Sequence, residues 1–274
     1  MKHHRHVKHL KSSAAGLRTA LAQALVARHV AEELASFDAS SPVAEVRDFM
    51  RRKDFDVVGV RDDGFVYGYA EADHPGDCAI GHCVRSFDEA TCIGEDEPLS
   101  RIFSFLQVSP RVFVVRNDRV TGIITRGDLE KAPVRMWLFA LVSLIEMQLL
   151  RLIREHYPGE TWRRVLSDGR VEKAEQICDK RHADKTHIDL ADCLQFCDKR
   201  DIVLKTPALF QSLSLEAFPD PSTLFKELQD LRDDLAHAQS VVLGRWPRLV
   251  ELSRAAEGIL TSCESARVDP DGAC

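Results

Sequence analysis

Two groups of side chains have the types and spacing to do chemistry, and both would do it on phosphate-bearing molecules. Late in the chain, Leu228-Gln229-Asp230-Leu231-Arg232-Asp233-Asp234-Leu235-Ala236-His237 sets an arginine five residues before a histidine. A histidine takes and returns protons near neutral pH, as general acid–base catalysis requires. The planar, permanently charged fork of Arg232 would clamp phosphoryl oxygens as negative charge grows on them, and Asp233 could orient either side chain. Earlier, Gly122-Ile123-Ile124-Thr125-Arg126-Gly127-Asp128-Leu129 carries Thr125 and Asp128 at an expected strand-to-helix junction. A carboxylate near a helix start is stabilised by the free backbone amides and keeps a second oxygen for a ligand diol.

Each group has a plainer reading beside the chemical one. On a regular helix of 3.6 residues per turn, Arg232 and His237 lie about 140° apart, so one face does not present both. The length of the arginine, a local distortion of the helix, or a two-fold dimer that brings a second copy alongside would be needed to form a shared cleft. The alternative is an exposed helix in which Arg232 pairs with neighbouring aspartates. Asp230, Asp233 and Asp234 also repel phosphate locally, and Arg181 with His187 satisfies a looser version of the spacing. For Asp128 the plainer role is a helix cap.

The elements that must position these groups follow from pattern. Leu17, Leu21, Leu25 and Leu34 line one side of an expected helix within the Ala- and Leu-rich segment Ser12 to Ser36. A short helix over Val43 to Arg52, a strand over Phe55 to Val60, a turn at Asp63-Gly64 and a return strand over Phe65 to Ala70 form one unit ending in Asp73. The order then recurs: helix from Pro98 through Leu106, strand Arg111 to Val115, turn at Asn117-Asp118, and return strand Val120 to Thr125, closed by Asp128. A repeat at some sixty residues implies two copies packed together, since one short unit could not bury its sheet face alone. From Lys131 the pattern turns helical. A long helix from Pro133 through His156 ends at Pro158-Gly159, and shorter helices are expected over Val171 to Arg181, Ile188 to Leu204 and Thr206 to Leu213. Ser222 is the expected N-cap of a helix reaching about Val242, and a last helix covers Pro247 to Leu260.

The glycine, two apolar residues, Thr125, two residues and Asp128-Leu129 resemble the CBS domain family, over about residues 39 to 131 and most specifically in the second repeat. The resemblance implies a pocket in which Thr125 places its hydroxyl near a phosphate or ribose and Asp128 accepts from the ribose hydroxyls of an adenine nucleotide. In the first repeat, Gly68-Tyr69-Ala70-Glu71-Ala72-Asp73 lacks the threonine and is one residue shorter. The Arg232 to His237 motif in the last long helices looks like the signature of the HEPN superfamily, over about residues 132 to 262. That likeness implies a metal-independent endoribonuclease acting as a homodimer, leaving 2',3'-cyclic phosphate ends and needing no cofactor for catalysis, with RNA as substrate and an antitoxin or defence partner. The expected architecture is therefore α+β: tandem CBS-like α/β repeats followed by an all-α HEPN-like helical bundle. It divides into 1–38, a basic His-rich tail and helix; 39–131, nucleotide-sensing; 132–262, helical; and 263–274, a flexible tail. The alternative function is a noncatalytic nucleotide-sensing dimerisation or adaptor protein.

Composition narrows the classes. The 274 residues are 45% hydrophobic and suit two domains. A net charge of -6 gives no overall attraction to phosphate backbones, so nucleic-acid binding would need a local basic patch. The apolar run Met136 to Ile145 falls short of the roughly 20 residues a bilayer span needs, so no membrane partner is expected. Met1 to Lys11, rich in His, Lys and Arg, lacks the apolar stretch of a secretory signal. Eight cysteines without a CxxC pair fit reduced thiols and a cytoplasmic location. His74, Cys78, His82 and Cys83 have ligand-like chemistry but match no zinc module, and no metal is expected.

Overall fold

The structure, a computed structural model, describes residues 14–72, 78–183, 188–237, 239–241 and 244–266. Helix α1 (Ala14–Ala24) is shorter than the helix expected through Ser36. Val26 turns extended and bridges Pro98, the Ala27 N–H donates to the Glu97 carbonyl (2.9 Å), and strands β1 (Glu32–Glu33) and β2 (Ser36–Asp38) follow. Pairing with distant strands overrides local helix propensity here, and the chain from Ala22 belongs to a compact unit of Ala22–Arg135 with Val242–Val250.

That unit continues with α2 (Val43–Lys53), β3 (Val57–Asp62), β4 (Phe65–Glu71), β5 (Arg85–Ser86), β6 (Cys92–Gly94), α3 (Leu99–Val108), β7 (Arg111–Arg116) and β8 (Arg119–Thr125). Its sheets run β2-β3-β4-β5 and β1-β8-β7-β6. In each, a short strand before the helix lies parallel to the strand after it, and a hairpin returns antiparallel. The fourth place is taken by the strand leading into the other repeat: β5 pairs with β4, and β1 with β8. The correspondence extends to detail. Both hairpins shift register at one point, Val60/Arg61 and Val114/Val115, and both return strands alternate in burial in the same way. Phe65 and Arg119, which start the return strands, are 54 positions apart, so the repeat expected from sequence is present.

The exchanged strands explain two glycines. A Cβ on Gly68 would lie 2.4 Å from a Val84 methyl and 2.7 Å from the Arg85 carbonyl oxygen; on Gly122 it would lie 3.0 Å from the Glu32 carbonyl oxygen. At Gly68 a side chain would force the partner repeat's edge strand to shift, and at Gly122 it would be a tight fit against it. Beneath, Val43, Val46 and Met50 of α2 pack on Val58, Val60 and Ala70, while Leu34, Val57 and Phe113 are buried in a second cluster with Tyr69, Phe87 and Ile123 against them.

The second unit comprises Met1–Leu21, Met136–Val241 and Glu251–Cys274. The helices from the end of the repeats onward are α4 (Ala132–His156), α5 (Asp168–Ala183), α6 (Phe196–Lys205), α7 (Pro207–Ser212), α8 (Pro221–Ala236) and α9 (Trp246–Ser265). The helix expected over Ile188 to Leu204 is instead a 3-10 turn, Leu190–Cys193, followed by α6. The Asp198 carboxylate accepts from the Gln195 N–H (2.8 Å) and starts a new helix there, so Cys193 and Cys197 do not share one. Asp220, not Ser222, caps α8: its Oδ1 accepts from the Thr223 N–H (3.0 Å), Pro221 occupies the first turn, and the helix stops at Ala236 rather than near Val242.

By length and composition α4 could cross a bilayer, which the apolar run alone did not suggest, but half of its most apolar window is buried in the protein. Trp137, Leu138, Leu141, Ile145 and Leu149 are buried, and Glu146 on the same helix is ion-paired to Lys199 and Arg232. Met136, Phe139 and Met147 remain exposed. Burial pushes the Cys193 thiol up to about 11 and the Cys263 thiol up to about 12. Both are core thiols, and the native protein is expected to leave them unlabelled by iodoacetamide at pH 7.5, as read by peptide mass spectrometry, while the denatured protein labels fully.

Candidate functional site

The residues singled out in the second repeat lie together at the end of β8. The Asp128 Oδ2 accepts from the Thr125 N–H (2.7 Å) and from the Thr125 hydroxyl (3.0 Å), a capping arrangement at the turn Arg126–Glu130. Its Oδ1 faces the Lys131 Nζ at 2.8 Å, and Lys131 also donates to the Val30 carbonyl (2.6 Å) and pairs with Glu32 on β1. Thr125 and Asp128 therefore spend most of their hydrogen-bonding capacity on each other and on Lys131, and Asp128 is 8% exposed. Burial acts to lower the Lys131 pKa, but the hydrogen bonds to Asp128 and Glu32 outweigh it and leave that pKa raised. The ammonium's stabilising contribution is thus fully present below the ordinary lysine value of 10.5 and is lost as pH rises through the folded-state value. Asp128→Ala removes the cap and one partner of Lys131 together; the expected loss is about 2 kcal/mol, read as a lower urea midpoint, and Asp128→Asn should recover part of it.

The first repeat carries different chemistry at the same place. Val57 pairs with Glu71 in one sheet as Arg111 pairs with Thr125 in the other, so Glu71 stands where the second repeat has Thr125. Its Oε2 meets Arg85 on the exchanged strand β5 at 2.7 Å and its Oε1 meets Arg111 at 2.9 Å. Each repeat thus ties its borrowed edge strand by an ion pair, Glu71 to Arg85 and Lys131 to Glu32. Asp73, expected to close the first unit, lies outside the described residues.

A cavity of about 460 Å3 opens in this unit beside the hairpin turns. Leu34, Phe65, Val66, Val114 and Val120 give it apolar walls, Gly122 lies against it without a side chain, and Arg28, Arg116 and Arg119 reach it together with Glu32, Glu33 and Glu95. Arg116 donates to Glu95 (2.6 Å), Arg28 pairs with Asp96, and the Arg119 guanidinium lies 4.0 Å from the centre of the Phe65 ring. Thr125 and Asp128 do not line this cavity; Glu32, held by Lys131, connects them to it. Sequence reasoning missed these arginines, because they sit on the turn side of the hairpins, where an arginine in a sequence reads as ordinary solvated surface.

In the helical unit, Arg232 and Asp233 meet: the arginine Nε and one terminal nitrogen donate to Asp233 Oδ1 at 3.1 and 2.8 Å. The other terminal nitrogen donates to Glu146 Oε2 at 3.1 Å, and Lys199 donates to Glu146 Oε1 at 2.8 Å. The Arg232 guanidinium also lies 5.8 Å from the Phe196 ring centre. His237 stands exposed as the C-cap of α8, its N–H donating to the Asp233 carbonyl (3.1 Å). The Glu146 partner, 86 positions away, was invisible to the local motif.

Of the four residues with ligand-like chemistry, His74 lies outside the described residues, while the Cys78 and Cys83 sulfurs approach to 3.7 Å. Among the described residues no three His, Cys, Asp or Glu side chains are grouped to hold a metal.

A family model for the CBS domain matches residues 84–135, the second repeat together with β5. Solved structures with similarity include an uncharacterized conserved protein from Pyrococcus horikoshii, 17% identical, covering 39% of this chain and 90% of that chain with a TM-score of 0.34. A conserved CBS domain protein from Thermoplasma acidophilum is 18% identical, with 42% and 75% covered and a TM-score of 0.33. CBSX2, solved in complex with AMP, is 16% identical, with 41% and 98% covered and a TM-score of 0.35. No curated protein matches the chain.

Proposed function

We propose that this chain is a nucleotide-responsive regulator whose CBS-like unit takes an adenine nucleotide and whose helical unit carries the response. The observation that supports it is the cavity at the hairpin turns. Its size falls in the range of about 300 to 1,000 Å3 typical of small-molecule sites, and apolar walls beside converging cations suit a base with a phosphate. Phe65, Val66 and Val120 would hold the base, Arg116 and Arg119 the phosphate, and the Glu32 or Glu33 carboxylate the ribose diol. Thr125 and Asp128 then act as positioning residues, because their network fixes Lys131 and through it Glu32. A response in the helical unit requires two arrangements with different nucleotide affinity. Calorimetric titration of the full chain with AMP tests the reading: saturable binding is expected, and the absence of both heat and a thermal shift at millimolar AMP would contradict it.

For the helical unit, Arg232, Asp233 and His237 are the proposed site of metal-independent RNA cleavage, with the noncatalytic adaptor as the competing reading. The exposed His237 imidazole at the end of α8 supports the first. The second is supported by the Arg232 guanidinium, which two carboxylates already neutralise and which must leave Glu146 before it can clamp a phosphate. Wild type and His237→Ala, matched by circular dichroism, separate the two. Cleavage to 2',3'-cyclic ends that falls at least 100-fold in the variant supports catalysis, and intact RNA with wild type supports the adaptor.

A further inference from the structure

We infer that Cys78 and Cys83 form a dithiol that a hydroperoxide oxidises, a modification site on the segment that leads into β5. Their sulfurs approach to 3.7 Å with a hydrogen bond between the two thiols. The side chains differ in access. Cys83 is 5% exposed and lies in the core with Val43, Val46, Met50 and Ile80, whereas Cys78 is half-buried and packs against that core. A cavity of about 400 Å3, lined by Cys78 and Ala79 with Ser40, Pro42, Val43 and Ala44, brings a small reagent to Cys78.

The backbone holds the pair in place. The Ile80 N–H donates to the Ser41 carbonyl (2.8 Å), the Gly81 N–H to the Ala39 carbonyl (2.9 Å), and the Val43 N–H to the Cys78 carbonyl (2.9 Å). A Cβ on Gly81 would lie 2.9 Å from the same Ala39 oxygen, so a side chain there would force the turn Ile80–Cys83 to shift. The other repeat has no such pair. Ala79 bridges Pro42 as Val26 bridges Pro98, so Leu25 and Val30 stand where Cys78 and Cys83 do. Apolar packing is enough for the architecture at those positions, and the two thiols add a chemistry that the fold does not need.

The Cys78 thiolate attacks an oxygen of the hydroperoxide, the O–O bond breaks, and the departing oxygen takes a proton to leave as water or an alcohol. Cys78 becomes a sulfenic acid. The Cys83 sulfur then attacks the Cys78 sulfur: the S–S bond forms, the S–O bond breaks, and hydroxide leaves with the Cys83 proton as water. Two thiols lose two electrons to one hydroperoxide, and a dithiol reductant returns them. Burial pushes the Cys83 thiol up, which makes it the poorer first nucleophile and fits Cys78 as the one that meets the oxidant. The bond joins the residue whose carbonyl holds the start of α2 to the one two positions before β5, so oxidation acts on the exchanged edge strand of the first repeat.

Peptide mass mapping of the full chain tests this. Hydrogen peroxide is added in slight excess over protein, remaining thiols are alkylated with iodoacetamide in denaturant, and the chain is cut with trypsin. No Lys or Arg lies between Arg61 and Arg85, so one peptide holds both cysteines. That peptide is expected to lose the mass of two hydrogens and take up no alkyl group, while Cys193 and Cys263 stay alkylatable. Dithiothreitol before alkylation should restore both thiols. Cys83→Ser, with folding checked by circular dichroism, should leave a sulfenic acid at Cys78 that dimedone traps. The inference is overturned by a wild-type peptide that still takes two alkyl groups after peroxide, by a bond from either cysteine to a different one, or by Cys78 carried to sulfinic acid beside a free Cys83. The wild-type map decides the matter by itself should Cys83→Ser not fold.

Discussion

Gly68→Ala is expected to destabilise the CBS-like unit by about 3 kcal/mol, the upper part of the range for overpacking a tight contact, and to lower its melting temperature by roughly 10 °C. The added methyl would meet the Val84 side chain at 2.4 Å and the Arg85 carbonyl oxygen at 2.7 Å. Val84 can turn aside, but a backbone carbonyl in a strand cannot move without breaking the pairing of Gly68 with Ser86 and Tyr69 with Arg85. The neighbouring ion pair between Arg85 and Glu71 should loosen with it. Gly64→Ala makes the contrasting control: nothing lies within 4 Å of its added Cβ, and only the left-handed backbone (φ 80°) resists it, at about 1 kcal/mol. Differential scanning calorimetry of the full chain reads both. Equal effects would mean that the exchange of edge strands does not constrain Gly68.

The second large effect concerns ligand affinity. Arg119→Ala should weaken AMP binding by 10- to 100-fold, since a hydrogen bond to a charged group contributes about 1.5 to 3 kcal/mol and each tenfold corresponds to about 1.4. Arg119 has the largest expected effect among the three cavity arginines because its described contact is a ring face, that of Phe65, whereas Arg116 and Arg28 are engaged by Glu95 and Asp96. Arg61→Ala is the matched control: Arg61 belongs to the same unit, pairs with Asp38 at 2.7 Å and does not line the cavity. Isothermal titration at two salt concentrations should show wild-type affinity falling as salt rises. An Arg119→Ala titration identical to that of wild type would remove this cavity from the account.

How far the sequence reached is clear from particular residues. Hairpin turns at Asp63-Gly64 and Asn117-Asp118 carry their own backbone chemistry, with left-handed conformations at all four positions, so both hairpins were legible locally. The short strands Glu32–Glu33, Ser36–Asp38, Arg85–Ser86 and Cys92–Gly94 were not, because two or three residues show no periodicity and their pairing partners lie far along the chain. The same limit applied to the sites. Thr125 and Asp128 could be found because three positions separate them, and the structure joins them in one hydrogen-bonded cap. Lys131 with Glu32, Glu71 with Arg111, and Arg232 with Glu146 are contacts across the fold, and each changes what the local motif can do. Asp233 beside Arg232 was visible as a partner from adjacency alone, and the structure forms that pair.

Hydrogen–deuterium exchange of the full chain with and without saturating AMP bears most directly on the central proposal, that a nucleotide sits at the hairpin turns of the CBS-like unit. Slower exchange is expected in three segments that meet at the cavity, Ala31 to Ser36, Gly64 to Val66 and Arg116 to Gly122. Unchanged exchange in all three, or protection confined to the helices α5 to α8, would contradict it.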